Sequence, residues 1–126
     1  MRRLRVLIVE DERSVADALR LIMEDAGYEV SVACCGRGGL KAHAARKFDL
    51  VITDVNLPDV SGLQVLRLLR AALPPCPVIV ITANCAPEIV EAAKLGGALE
   101  VLLKPFLPSD IIRLARRASS DRAPRE

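Results

Sequence analysis

Apolar residues in this chain gather into short unbroken runs, each closed by a polar group. Val6 to Val9 stops at Glu10, Asp11 and Glu12; Leu50 to Ile52 runs out at Asp54; Val78 to Ile81 ends at Thr82; Val101 to Leu103 ends at Lys104. Runs of this length without polar alternation predict strands buried on both faces, as in a parallel sheet. Tyr28 to Ala33 differs, because Val30 and Val32 alternate with Glu29 and Ser31, which predicts a strand nearer the sheet edge.

Between the runs the spacing changes to that of helices. Val15, Leu19, Ile22, Met23 and Ala26 fall three and four apart between Ser14 and Ala26, and Gly27 can end the helix. Arg37 to Arg46 is rich in alanine and reads as a weaker helix, with Gly36, Gly38 and Gly39 punctuating its start. Leu63, Leu66, Leu69 and Leu73 repeat at helical spacing and stop at Pro74 and Pro75. Pro87 to Leu95 has proline near its first turn and Gly96 and Gly97 after its end. Ser109 to Ser119 forms a last amphipathic helix, with Ile111, Ile112, Leu114, Ala115 and Ala118 inward and Arg113, Arg116 and Arg117 toward solvent, a partner or a second copy.

Five strands alternating with five helices predict an α/β fold, a parallel sheet covered on both sides. The 126 residues suit one domain, here 1–119, followed by a polar tail at 120–126. No repeat or low-complexity segment interrupts it. The net charge of +2 is small, the basic residues are dispersed, and one Tyr, two Phe and no Trp leave no base-stacking platform, which argues against direct nucleic-acid binding. The apolar run after the basic start is too short for a signal peptide, and no run approaches membrane-spanning length, so a cytoplasmic protein is expected. Cys34, Cys35, Cys76 and Cys85 lack metal-ligand spacing and read as reduced, partly buried thiols, with redox sensing at Cys85 the lesser alternative. His43, the single histidine, reads as a surface residue without a role.

In a parallel α/β sheet all strand C-terminal ends lie along one edge, where sites form. That topology gathers Glu10, Asp11, Asp54, Thr82 and Lys104. Neighbouring carboxylates repel unless a cation neutralises them, and hard oxygen ligands of this kind suit Mg²⁺. Because Mg²⁺ favours one or two carboxylates plus phosphate oxygens, phosphoryl chemistry follows more naturally than metal storage. Lys104 and Thr82 suit stabilisation of a transferring phosphoryl group, and Asp54 suits the nucleophile of an acyl phosphate.

Taken together, Val6 to Glu12, Asp54 to Gly62, Val78 to Ala83 and Lys104 to Phe106 make the chain resemble the receiver domains of two-component response regulators over nearly its whole length. The resemblance implies a flavodoxin-like (βα)5 sandwich with strand order 2-1-3-4-5. It implies Asp54 as the phosphoacceptor, with Asp11, Asp54 and the Asn56 carbonyl binding Mg²⁺ and Glu10 acting through water. Thr82 and Lys104 would contact the phosphoryl group, and Lys104-Pro105 is commonly cis in such proteins. The phosphodonor would be a phosphohistidine on a sensor histidine kinase or phosphotransfer protein, and the switch would act around the fourth helix, fifth strand and fifth helix. Such a domain catalyses its own modification and turns over no metabolite.

Several positions depart from that pattern. An aromatic usually stands three residues before the lysine, where this chain has Val101; the acidic pair often found before it is Leu99 and Glu100; and Asn84 stands two residues after Thr82. Val101 keeps alive a second reading, a receiver-like interaction module without a conventional phosphorylation switch. A small-molecule phosphatase working through an aspartyl phosphate is a third, disfavoured because its second acid would fall at Asn56. Each residue also has a plainer use: Glu10 to Glu12 can cap a helix, Asp54 can form a turn, Thr82 can end a strand and Lys104 can be a solvated charge. What those uses leave unexplained is their joint placement at successive strand ends. The chain shows no output domain, as a single-domain regulator would or a piece of a hybrid kinase or multidomain regulator.

Overall fold

The computed structural model describes residues 3–122, with side-chain surroundings given for residues 3–118. Its elements alternate as expected: β1 (Arg5–Val9), α1 (Arg13–Asp25), β2 (Glu29–Ala33), α2 (Gly36–Ala45), β3 (Leu50–Asp54), α3 (Gly62–Ala71), β4 (Val78–Thr82), α4 (Pro87–Leu95), β5 (Glu100–Leu103) and α5 (Pro108–Arg122). The five strands are parallel in the order β2-β1-β3-β4-β5. The chain is thus a flavodoxin-like sandwich.

Period-two side-chain direction splits each apolar run between two cores. Val6, Ile8, Leu50, Ile52, Ile79 and Ile81 pack with Leu19 and Met23 of α1 and Ile111, Leu114 and Ala115 of α5. Their alternates Leu7, Val9, Val51, Val78 and Val80 pack with Val65, Leu66 and Leu69 of α3 and Ala93 of α4. Helices therefore cover both faces, which is why the central strands carry apolar residues on both faces. At roughly 25 cal/mol per Å² of apolar surface removed from water, these two layers are the main stabilising term.

β2 is an edge strand, and there the alternation is only half realised: Val30 packs against the first core, whereas Val32 is 42% exposed on the free edge. Leu73 stands beyond the last turn of α3 and is 88% exposed, so the buried stripe ends at Leu69, short of the residue whose spacing continues it. The helical backbone of α5 continues to Arg122, into the stretch read as a tail; residues 123–126 of that tail lie outside the described ones. Arg113, Arg116 and Arg117 of α5 are exposed as expected, Arg113 lying 4.0 Å from Asp110 and Arg117 3.9 Å from Glu100.

His43 is a clear departure from expectation, being buried on α2. Its ring lies beside that of Phe48, with centroids 6.2 Å apart, and its Nδ1 accepts the Phe48 backbone N–H at 3.2 Å. Arg5 closes the stack, its guanidinium carbon 4.2 Å from the Phe48 ring centroid. The histidine thus fastens α2 to the approach of β3, at the sheet edge away from the acids. The cysteines are all free thiols, with Cys76 buried and Cys34 and Cys85 exposed.

Candidate functional site

The chain reverses direction across the sheet between β1 and β3, and a crevice opens there beyond the strand ends. Four of the five strands deliver groups to it. β1 ends on Val9, so Glu10 and Asp11 start the loop into α1; β3 ends on Asp54 itself, β4 on Thr82, and Lys104 follows β5 directly.

Carboxylate oxygens of Glu10, Asp11 and Asp54 all lie within 4.8 Å of one another. Asp54 and Glu10 are buried, with relative exposures of 4% and 1%, while Asp11 is exposed at the mouth. Lys104 reaches between the two buried acids: its Nζ is 2.6 Å from Asp54 Oδ2 and 3.0 Å from Glu10 Oε1. Lys104-Pro105 is cis, as is Leu73-Pro74. The second oxygen of each acid is held by backbone, Asp54 Oδ1 accepting the Asn56 N–H at 3.0 Å and Glu10 Oε2 the Glu12 N–H at 3.2 Å.

Burial is the dominant influence on Glu10 and pushes its carboxyl up to about 7, helped by the nearby Asp54 and opposed by Lys104 and the Glu12 N–H. For Lys104 burial pulls downward, but its bonds to Asp54 and Glu10 outweigh it, and the ammonium is held above its usual range. Both directions agree with one picture: a crevice with more negative than positive charge, partly shielded from water, that would favour a further cation. The donor set fits Mg²⁺, offering hard oxygens, an exposed carboxylate at the mouth and open solvent beyond it.

Thr82 is fully buried, and its Oγ1 accepts the Asn84 N–H at 3.0 Å. The Asn84 side chain in turn accepts the Ala86 N–H at 2.9 Å, shaping the entry to α4. Val101 pairs in register with Val80 and is half-buried against the second core, with no aromatic ring at that position. Asn56 is exposed in the loop after β3. Glu10, Asp11, Asp54, Asn56, Thr82 and Lys104 thus lie at or just beyond strand ends along one sheet edge. Beside Lys104 an open apolar groove of about 630 Å³ runs between α1 and the start of α5, lined by Val15, Ala18, Leu19, Ile22, Pro105 and Phe106 among others.

One residue of this region has a role that its turn-favouring residue type does not announce. Asp59, in the loop after β3, accepts the N–H groups of Gly36 and Arg37 at 2.8 Å each. Those bonds hold its carboxyl at about 2, the Arg37 N–H contributing most. The available signal was an absence: no acid stands in the first turn of α2, so its amides needed a partner from elsewhere.

A family model described as response regulator receiver domain matches residues 6–116. The transcriptional regulatory protein DltR of Streptococcus agalactiae is 39% identical over 121 residues, covering 93% of this chain and 54% of that protein. The cell cycle transcriptional regulator CtrA of Caulobacter vibrioides is 31% identical, covering 86% of this chain and 47% of its own length. The chain therefore spans about half the length of these relatives. Among solved structures, the chemotaxis response regulator CheY4 of Vibrio cholerae superposes with a TM-score of 0.85 at 31% identity, covering 93% of this chain and 99% of that one.

Proposed function

Because the chain belongs to the response regulator receiver domains of two-component systems, we propose that Asp54 accepts a phosphoryl group from a phosphohistidine. The donor would be a sensor histidine kinase or a histidine phosphotransfer protein, and the setting the cytoplasm. The receiver would occupy residues 1–119. The observation that carries this is the placement of Lys104 between Asp54 and Glu10 at the end of a buried strand.

Asp54 Oδ1 is tied to the Asn56 N–H, so the carboxylate is oriented before any donor arrives. Attack by an Asp54 oxygen on phosphorus forms the acyl phosphate as the phosphorus–nitrogen bond to the donor imidazole breaks. Lys104 is already within hydrogen-bond reach of Asp54 and can follow the phosphoryl oxygens as charge builds on them. Mg²⁺, held by Asp11, Asp54 and the Asn56 carbonyl with Glu10 acting through water, would neutralise charge on the transferring group. Thr82 would supply a hydroxyl donor after leaving its bond with Asn84, and that exchange would alter the loop into α4. The groove beside Lys104 gives a donor protein an apolar surface next to the acceptor.

Beryllofluoride, a mimic of the bound phosphoryl group, tests this reading. With Mg²⁺ it should shift the amide resonances of the loops after β3 and β4 in the wild type and leave Asp54→Asn unchanged. Equal responses from the two proteins would reject it.

Val101 supports a second reading, an interaction module that binds partners without a conventional switch. A half-buried valine has no ring to swing inward when Thr82 moves. Partner affinity unaltered by Asp54→Asn or by a phosphodonor would favour that reading.

A further inference from the structure

We propose that Asp59 is a positioning residue for the Mg²⁺ site, acting through the loop between β3 and α3; this rests on the reading of Asp54 as a Mg²⁺-dependent phosphoacceptor. That loop is pinned at two points. At its base the Gly62 N–H donates to the Val55 carbonyl at 2.9 Å, closing the two ends on each other. At its tip Asp59 reaches a different element: Oδ1 accepts the Gly36 N–H and Oδ2 the Arg37 N–H, each at 2.8 Å. Oδ1 also accepts the Val60 N–H at 2.8 Å, which fixes the carboxylate to its own backbone.

Gly36 and Arg37 are the first residues of α2, where amides have no partner within the helix. A carboxylate suits them by charge as well as by hydrogen bonding. The approach is close, since a β-carbon on Gly36 would meet Val60 Cγ2 at 2.4 Å and Asp59 Oδ1 at 3.3 Å. Both oxygens of Asp59 are thereby turned toward α2, so Asp59 is no ligand itself.

Between base and tip lies Asn56, whose carbonyl is assigned to Mg²⁺. Its own N–H goes to Asp54, and its side chain is exposed. Leu57 and Val60 rest on the second core and set how deep the loop sits. Apolar contacts of that kind allow sliding, whereas two carboxylate–amide bonds to a fixed helix end define direction. Removing the Asp59 carboxylate leaves the loop hinged at its base, with the Asn56 carbonyl free to turn from the crevice.

The test compares wild type, Asp59→Ala and Leu40→Ala. Leu40 is packed on the second core from α2 and serves to loosen that helix without touching the clamp. Calorimetric titration should show Mg²⁺ binding roughly tenfold weaker in Asp59→Ala, the size usual for residues that orient metal ligands, and near wild type in Leu40→Ala. In the metal-free proteins, amide hydrogen exchange at Asn56 should quicken in Asp59→Ala only. Wild-type Mg²⁺ affinity in Asp59→Ala, or equal weakening in Leu40→Ala, would overturn the positioning role alone. A wild type that binds no Mg²⁺ would instead overturn the phosphoacceptor reading beneath it.

Discussion

The backbone of Gly62 presses against that of Asp54: a β-carbon at position 62 would stand 1.9 Å from the Asp54 carbonyl oxygen. The neighbour is backbone within the central sheet, so it cannot step aside as a flexible side chain could. Gly62→Ala should therefore cost about 3 kcal/mol, at the upper end for overpacking, and lower Tm on the order of 10 °C. Thermal melting followed by circular dichroism checks this, and a Tm within a degree or two of wild type would show that the loop yields. Because φ at Gly62 is not positive, the cause is close approach and not backbone conformation.

Lys104 is the cation that two buried carboxylates share. Lys104→Met leaves both without it, and a loss on the order of 2 kcal/mol is expected in Mg²⁺-free buffer, less than for a fully buried pair because water reaches the crevice. Added Mg²⁺ should narrow the gap, since it supplies the missing positive charge. Denaturant titrations of both proteins with and without Mg²⁺ measure it; a gap unaltered by Mg²⁺ would mean that the ion does not bind near these acids.

The pH dependence follows from Glu10. Burial raises its carboxyl from the ordinary 4.5 to about 7 in the folded chain. The stability it contributes is fully present below the unfolded value near 4.5 and is lost as pH rises through about 7, where the folded state must hold a buried anion. Metal-free protein should thus lose stability from pH 5 to pH 8, and the rise in Tm produced by Mg²⁺ should grow over the same interval. Glu10→Gln should flatten both trends. A Mg²⁺ effect of equal size at both ends of the range would contradict this assignment.

Most of the architecture was legible because β1, β3 and β4 are buried on both faces and so carry unbroken apolar runs. The convergence on Asp54 followed from the alternation of elements, whereas the strand order came from the resemblance alone. What escaped was tertiary in origin. His43 looked like a surface residue on an alanine-rich helix, but the Phe48 ring and the Phe48 N–H give its imidazole a buried setting that no local pattern announces. Leu73 continued a helical stripe in the sequence, yet the helix ends before it, and the residue meets solvent. The role of Asp59 was not legible because its partners, the Gly36 and Arg37 amides, lie more than twenty residues earlier.

The acceptor role of Asp54 is tested most directly by intact mass spectrometry after incubation with acetyl phosphate and Mg²⁺. Wild type should gain the mass of one phosphoryl group, Asp54→Asn should gain none, and hydroxylamine should remove the adduct, as it does an acyl phosphate. No gain in wild type, or the same gain in Asp54→Asn, would contradict the account.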